Sequence, residues 1–168
     1  KMKYMTNVLQ KQPDFTPTRS IQWGSSWPKL AEKDSRQALS TFLLERFGIP
    51  PTVLDEYFLF ERKRAWFIMR KSEQVKNAAH LKVSKVGLRA FRKVSQFLKP
   101  TTRFIQFFGR FATKNMFHVD MGQLQTLILT GEIPVGVNLE EGYVILTLGD
   151  HRIIGLGFYI HGAIRSQL

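Results

Sequence analysis

Hydrophobic residues recur at helical spacing in three segments of the chain. The first segment follows an N-cap at Asp34 or Ser35, ends at Gly48 and carries an apolar face formed by Leu39, Phe42, Leu43 and Phe47. The second covers residues 103–112, where one apolar stripe is formed by Phe104, Phe107, Phe108 and Phe111. The third follows an N-cap at Asp120, and its predicted inward face consists of Leu124, Leu127 and Ile128. The pattern therefore predicts three amphipathic helices.

Short apolar runs, and the alternation of polar with apolar residues, predict the strands. Two strands, over residues 58–60 and 65–69, are joined by the charged turn ERKR. Between residues 82 and 91 the alternation predicts a half-buried strand whose outer face holds Lys85, Gly87 and Arg89 and whose inner face holds Val86, Leu88 and Ala90. The last third of the chain is predicted to be mostly β, with strands over residues 116–119, 143–148, 152–160 and 163–167.

The first 34 residues show no sustained period and contain three prolines together with Trp23 and Trp27. We interpret residues 1–34 as an extended arm, whose indoles either dock on RNA or another protein or pack back on their own domain. Pro100 interrupts the pattern again and predicts a boundary. The predicted fold class is α+β, with a small α+β domain over residues 35–99 and a compact, mostly β domain over residues 100–168.

The positive charge of the chain is concentrated in its middle third. The 168 residues include 25 Lys and Arg against 13 Asp and Glu, a net charge of +12, and residues 61–114 hold 15 of the basic residues with only 2 acidic ones. Residues 115–168, in contrast, hold 2 basic and 5 acidic residues. Such a concentration is typical of proteins that bind polyanions, and nucleic acid is the leading candidate because phosphate contacts release counterions. The alternative is a solvated basic face with no partner.

Several functional classes are disfavoured by what the sequence lacks. It contains no cysteine, which excludes disulfides, thiolate nucleophiles and Cys-ligated metals and fits a cytoplasmic location. Uncharged runs are too short for a membrane span, and we expect neither a signal peptide nor a membrane partner. The His118/Asp120 and Asp150/His151 neighbours lack a third ligand or a nucleophile. We therefore expect no catalytic residues, no metal and no cofactor.

Two sets of short motifs occur in order along the chain. The C-terminal set is Leu129–Glu132 (LTGE), Glu141–Leu146 (EGYVIL), Ile154–Tyr159 (IGLGFY) and His161–Gln167 (HGAIRSQ); the set ahead of it is Phe47–Pro50 (FGIP), Val86–Arg92 (VGLRAFR) and Lys99–Thr102 (KPTT). The C-terminal half resembles a PUA domain, a small pseudo-barrel that binds RNA. Together the two sets resemble the pre-PUA and PUA region of archaeal-type RNA cytosine-5 methyltransferases of the Sun/Fmu kind, over residues 36–168.

The resemblance implies an RNA-positioning module without the catalytic part. The family's methyltransferase domain uses catalytic cysteines, of which this chain has none, and residues 1–35 are too short to hold such a domain. The family also implies RNA contact at the turn after the middle helix, here at Thr130, Gly131 and Glu132, although Gly131 is equally explained as a helix C-cap. The first residue is Lys, which fits a piece of a longer protein.

The predicted function is non-catalytic binding of structured RNA, with ribosomal RNA ahead of tRNA, in a ribosome-associated or ribosome-biogenesis role. The predicted RNA-binding residues are Lys82, Lys85, Arg89, Arg92, Lys93, Lys99, Arg103, Arg110, Lys114 and Gly131. Base stacking could come from Trp66, Phe91 or Tyr159, but core packing is favoured for each. The alternative function is an RNA-targeting subunit, or a detached accessory region, of an RNA cytosine-5 methyltransferase acting on tRNA or rRNA. Besides RNA, the expected partners are ribosomal proteins or a modifying enzyme, which would contact the N-terminal arm.

Overall fold

In the computed structural model, which describes residues 21–168, ten strands form two five-stranded sheets accompanied by four α-helices. The first sheet is antiparallel throughout and contains, in spatial order, β1 (Lys29–Leu30), β2 (Tyr57–Arg62), β3 (Ala65–Arg70), β4 (Leu88–Val94) and β5 (Phe97–Pro100). The second has the order β6-β8-β9-β10-β7 and contains β6 (Met116–Val119), β7 (Glu132–Pro134), β8 (Gly142–Leu148), β9 (Arg152–Ile160) and β10 (Ala163–Ser166). The α+β class is therefore confirmed.

The first helix, α1 (Lys33–Phe47), begins earlier than the sequence predicted. Neither Asp34 nor Ser35 caps it, because both lie inside the helix and the Ser35 hydroxyl donates instead to Glu61 Oε2 at 3.0 Å. The predicted end is confirmed, since Gly48 has a left-handed φ of 66° and its N–H donates to the carbonyl of Leu44 at 2.9 Å. The buried positions are Leu39, Ser40, Leu43 and Phe47.

The predicted strand over residues 82–91 is displaced toward the C-terminus. After α2 (Glu73–Asn77) and a 3₁₀ turn at Ala78–His80, the chain is irregular over residues 81–87, and β4 begins only at Leu88. Gly87 causes the break, because its φ of +54° is left-handed and a Cβ there would lie 2.1 Å from the carbonyl oxygen of Ile68. Alternation therefore fails across Gly87: Val86 packs beside Phe60, whereas Ala90 belongs to the main core.

One face of the first sheet is covered by the segment that precedes it. Trp23 packs 4.7 Å from Trp27 and 4.8 Å from Phe60 between ring centroids, and the Trp27 indole N–H donates to the Leu81 carbonyl at 3.0 Å. The two indoles thus pack on their own domain, which is the second of the two alternatives predicted for them. Residues 1–20, the rest of the predicted arm, lie outside the described residues.

The predicted phenylalanine helix is shorter, and its apolar face is rotated. The helix α3 (Thr102–Phe108) is capped by the Thr101 hydroxyl and is followed by a 3₁₀ turn at Gly109–Phe111. Its buried side chains are Phe104, Ile105 and Phe108, whereas Phe107 is 64% exposed. The buried face is rotated toward Ile105 because α3 lies against both β4 and β9, and the predicted place of Phe107 in this face is therefore wrong.

The helix of the second sheet follows its prediction at both ends. In α4 (Met121–Thr130) the Asp120 carboxylate accepts from Gln123 N at 2.7 Å, and Gly131 ends the helix with a φ of 84°. Leu127 is buried as predicted, but Ile128 is 66% exposed because the helix packs on its sheet through a narrower face. No helix in the described part of the chain is long and apolar enough to cross a bilayer.

The main hydrophobic core crosses the boundary predicted at residue 99. It contains Phe91 from the first sheet, Phe104 from α3, and Ile145 and Leu156 from the second sheet. Phe91 and Phe104 are both fully buried, with ring centroids 4.7 Å apart. The division into two domains stays a prediction, but burial of α3 depends on both halves.

Candidate nucleic-acid interface

A shallow groove of about 490 Å³ is lined mainly by cationic side chains. It lies on β2, β3 and β4 and is lined by Arg62, Lys63, Arg64, Ala65, Phe67, Arg89, Arg92 and Lys93. Six of these eight residues are cationic and all six are exposed, while no carboxylate lines the groove. Phe67 lines the groove and also packs against the hydrophobic cluster that contains Trp27 and Phe60. The groove therefore lies directly over packed core side chains.

The strand register explains why these side chains share one face. Ala65 lies opposite Arg62 on β2 and opposite Arg92 on β4, while Phe67 lies opposite Arg89. Residues directly opposite each other in a sheet point to the same side. Arg89 and Arg92 are three positions apart and would face opposite sides of a regular strand. A β-bulge beside Trp66 and Phe67 inserts Ala90, and this shift brings both arginines to the groove.

The cations of this region have few acidic partners within the described residues. Among the 15 basic side chains of residues 61–114, Lys76 is the only one that forms an ion pair with a described carboxylate, that of Glu73. The Arg89 guanidinium lies 5.6 Å from the centroid of the Phe67 ring, at cation–π distance. The described carboxylates therefore leave the positive charge of the groove unneutralised.

Arg64 has a structural role within the groove. Its guanidinium donates to the Ser95 carbonyl at 2.9 Å, and its own carbonyl accepts from Lys93 N at 2.8 Å. These two bonds hold the turn between β2 and β3 beside the turn between β4 and β5. Arg62 and Arg92, by contrast, make no side-chain hydrogen bond to the described residues and are available to a ligand.

The structure brings some of the predicted RNA-binding residues together and separates others. Arg89, Arg92 and Lys93 line the groove, and Lys99 lies opposite Arg92 on β5. The remaining predicted residues lie elsewhere: Lys82 and Lys85 in the irregular segment 81–87, Arg103 on α3, Arg110 in the 3₁₀ turn, Lys114 after it, and Gly131 at the end of α4. None of them lines the groove.

Sequence reasoning missed Arg62, Lys63 and Arg64 as site residues. The ERKR turn was predicted to join two strands but was given no binding role. The missing step was the pairing of β3 with β4, which places this turn beside Arg92 and Lys93. The available signal was a run of three cations, Arg62–Arg64, at a predicted hairpin turn.

The charged row continues from the groove toward the second sheet through Lys99. The Lys99 ammonium lies 5.8 Å from the centroid of the Tyr143 ring and donates to Gln167 Oε1. Burial lowers the pKa of Lys99, and the charge of Arg92 lowers it further. Burial raises the pKa of Tyr143, against the opposing effect of Arg92, so its phenol is neutral at physiological pH.

The three aromatic residues considered for base stacking are packed in the interior. Phe91 is fully buried, Trp66 and Tyr159 are nearly so, and the Tyr159 hydroxyl donates to the Val137 carbonyl at 3.2 Å. Core packing is therefore confirmed for all three. Among the described residues, no three His, Asp or Glu side chains converge as metal ligands.

Arg46 joins the end of α1 to the loop before β8, and its removal should be costly. Its side chain is 10% exposed and donates to the Tyr143 carbonyl at 2.7 Å and the Glu140 carbonyl at 2.8 Å, beside the Glu140 carboxylate at 3.1 Å. We expect Arg46→Ala to lower the free energy of unfolding by about 2–3 kcal/mol, because two carbonyls lose a charged donor. Urea unfolding measures the loss.

Arg165→Ala is the matched control for that measurement. Arg165 also forms an ion pair, with Glu132 at 3.4 Å, but both side chains are largely exposed. Its removal should cost less than about 1 kcal/mol. Equal losses for the two variants would contradict the structural role given to Arg46.

The groove presents mainly cationic groups. Its guanidinium and ammonium groups can bind phosphates, and the half-buried Phe67 ring offers an apolar contact beside them. Its lining residues include no carboxylate and no histidine. No protein-family model matches the sequence, and no curated protein matches it closely enough to indicate a relative.

Proposed function

We propose that this protein binds structured RNA in the cytoplasm, without catalysing a reaction, through the cationic groove of its first sheet. The observation that carries the proposal is the groove itself, where six exposed cations converge with no carboxylate among them. Like charges held this closely repel one another. Binding of a polyanion that neutralises them is therefore favourable. A solvated face without a partner would gain nothing from the bulge that gathers Arg89 and Arg92.

RNA fits the groove better than other polyanions for two reasons. Arg62, Arg92 and Lys99 lie in one cross-strand row, and at ~4.8 Å per strand this row spans ~14 Å, a length along which a nucleic-acid backbone can lie. The same surface offers one aromatic ring, that of Phe67, beside the cations, and such a combination is used to bind nucleic acids with unpaired segments. Arginine and lysine side chains that contact phosphates position the RNA on the protein but carry little information about its base sequence.

Ribosomal RNA, in a ribosome-associated or biogenesis role, is the partner that we propose ahead of tRNA. The C-terminal half supports a PUA-like module through its order of elements, in which a short strand and a helix ending at Gly131 precede an antiparallel set of strands. In that module Thr130, Gly131 and Glu132 would supply a second RNA contact. The acidic balance of residues 115–168 favours the groove over the C-terminal half as the main phosphate contact.

A second function is favoured by one observation. The outer face of α4 exposes three large apolar side chains, Met121 at 69%, Ile128 at 66% and Leu129 at 74%. Exposed apolar clusters of this kind are typical of protein-binding surfaces. The alternative proposal is therefore an RNA-targeting subunit, or an accessory region, of an RNA cytosine-5 methyltransferase that acts on tRNA or rRNA.

The experiment that tests the proposal is gentle purification of the native protein followed by sequencing of the RNA that accompanies it. We expect enrichment of discrete rRNA segments relative to the same purification of an Arg62→Glu/Arg92→Glu variant. Enrichment of tRNA together with a methyltransferase would favour the second function. Equal RNA recovery from protein and variant would contradict RNA binding through the groove.

A further inference from the structure

A second cavity, of about 500 Å³, lies between α1, the β4–β5 hairpin and the second sheet. Its walls are mostly apolar and include Phe42, Val94, Phe97, Leu98, Tyr143 and Phe158. The size is within the ~300–1,000 Å³ range of ligand sites in proteins. We call it the hairpin cleft; none of its lining residues lines the cationic groove.

The hairpin cleft adjoins the groove through the β4–β5 hairpin. Lys93, which lines the groove, lies opposite Leu98, which lines the cleft. One position earlier, Arg92 of the groove lies opposite Lys99, whose ammonium group sits over the ring of Tyr143 in the cleft wall. The β4–β5 hairpin therefore supplies residues to both cavities, and Arg92 and Lys99 lie where the two adjoin.

We propose that the hairpin cleft binds the base of an unpaired RNA nucleotide while Arg92 and Lys99 contact its phosphate. This inference rests on the proposed RNA-binding function and extends it to a specific part of the RNA. Phe97 is the main stacking surface, since it is 63% exposed although it lines an apolar cavity. Tyr143 and Phe158, packed edge to face at 5.1 Å, form the opposite wall.

The two charged side chains that line the cleft are already engaged within the protein. Arg46 is engaged with the carbonyls of Tyr143 and Glu140, and Glu141 accepts from the backbone N–H of His161. Hydrogen bonds from Arg46 or Glu141 to a base edge would have to displace these contacts, so among the polar side chains of the cleft Gln96 is the better placed to reach a base edge. Stacking, in contrast, is available to every base because each has a π-face. The cleft therefore selects unpaired over paired nucleotides.

The test uses two RNA hairpins of equal length, one fully paired in its stem and one carrying a single bulged 2-aminopurine. We expect wild-type protein to bind the bulged hairpin more tightly and to quench the fluorescence of 2-aminopurine by stacking. Phe97→Ala should weaken binding of the bulged hairpin on the order of tenfold and abolish the quenching, with no change for the paired hairpin. Phe97→Trp, which restores a ring, should keep both signals.

Phe107→Ala is the matched control, because Phe107 is 64% exposed and does not line the cleft. It should leave both affinities and the quenching unchanged. If wild-type protein binds both hairpins equally and Phe97→Ala has no effect, the cleft proposal is overturned while RNA binding stands. If wild-type protein binds neither hairpin, the proposed function fails, and the cleft proposal fails with it.

Discussion

Replacing Arg62 and Arg92 together by glutamate is expected to weaken binding of a folded rRNA fragment on the order of 100-fold. Each hydrogen bond between a charged group and a partner contributes ~1.5–3 kcal/mol, and both arginines lie in the groove with free guanidinium groups. The substituted carboxylates would also repel the phosphates. Fluorescence anisotropy with labelled RNA at fixed salt concentration measures the loss, and circular dichroism checks that the fold is retained.

The control for this pair is Lys33→Glu with Arg152→Glu, which changes the net charge by the same amount. Lys33 and Arg152 are exposed and do not line the groove. If binding depended on net charge alone, the control would lose as much affinity as the groove variant, and the assignment of the groove as the contact surface would be wrong. We expect the control to lose less than about tenfold, through its longer-range charge only.

Phe104→Ala is expected to lower the free energy of unfolding by about 3–5 kcal/mol. The ring is fully buried and packs 4.7 Å from the rings of both Phe91 and Phe108 between centroids. Because the same cluster includes Ile145 and Leu156 of the second sheet, the substitution should destabilise both halves of the chain. Thermal unfolding followed by calorimetry and by tryptophan fluorescence should give coincident transitions at a lower midpoint.

Phe107→Ala serves as the control on the same helix, because this ring is mostly exposed. It should change the free energy of unfolding by less than about 1 kcal/mol. Two separate transitions in the wild-type protein, with Phe104→Ala lowering only one of them, would contradict the shared core and favour two independent domains divided near residue 99.

Much of the fold could be predicted from local signals in the sequence. Gly48 and Gly131 end their helices in the left-handed conformation that glycine adopts at little cost, and Asp120 forms a capping box with Gln123. The strands on both sides of the ERKR turn, and the long strand Arg152–Ile160, follow from short apolar runs between turn residues. These features depend on a few neighbouring residues, which the sequence displays directly.

The errors arose where a distant part of the chain decides the local structure. Gly87 breaks the strand predicted over residues 82–91 because the carbonyl of Ile68 occupies the space beside it. Ile105 rather than Phe107 is buried because α3 lies between β4 and β9. Neither contact can be predicted from the spacing of hydrophobic residues along the chain.

The sequence predicted the positive charge of the candidate site but not all of the residues that form it. Counting along the chain located the excess charge in residues 61–114, and the groove lies within them. Alternation, however, would place Arg89 and Arg92 on opposite faces, since it cannot anticipate the bulge. Arg62 joins them only through the pairing of three strands. The excess of positive charge can thus be predicted from composition. Which cationic side chains come together can be predicted only once the register of the paired strands is known.

The salt dependence of RNA affinity is the measurement that tests the central claim most directly. The observed association constant should fall linearly with salt concentration on a double-logarithmic plot, because bound phosphates release counterions. For Arg62→Ala with Arg92→Ala the slope should be shallower by about two, one for each lost phosphate contact. The same slope for wild-type and variant protein would show that the groove does not contact the RNA backbone.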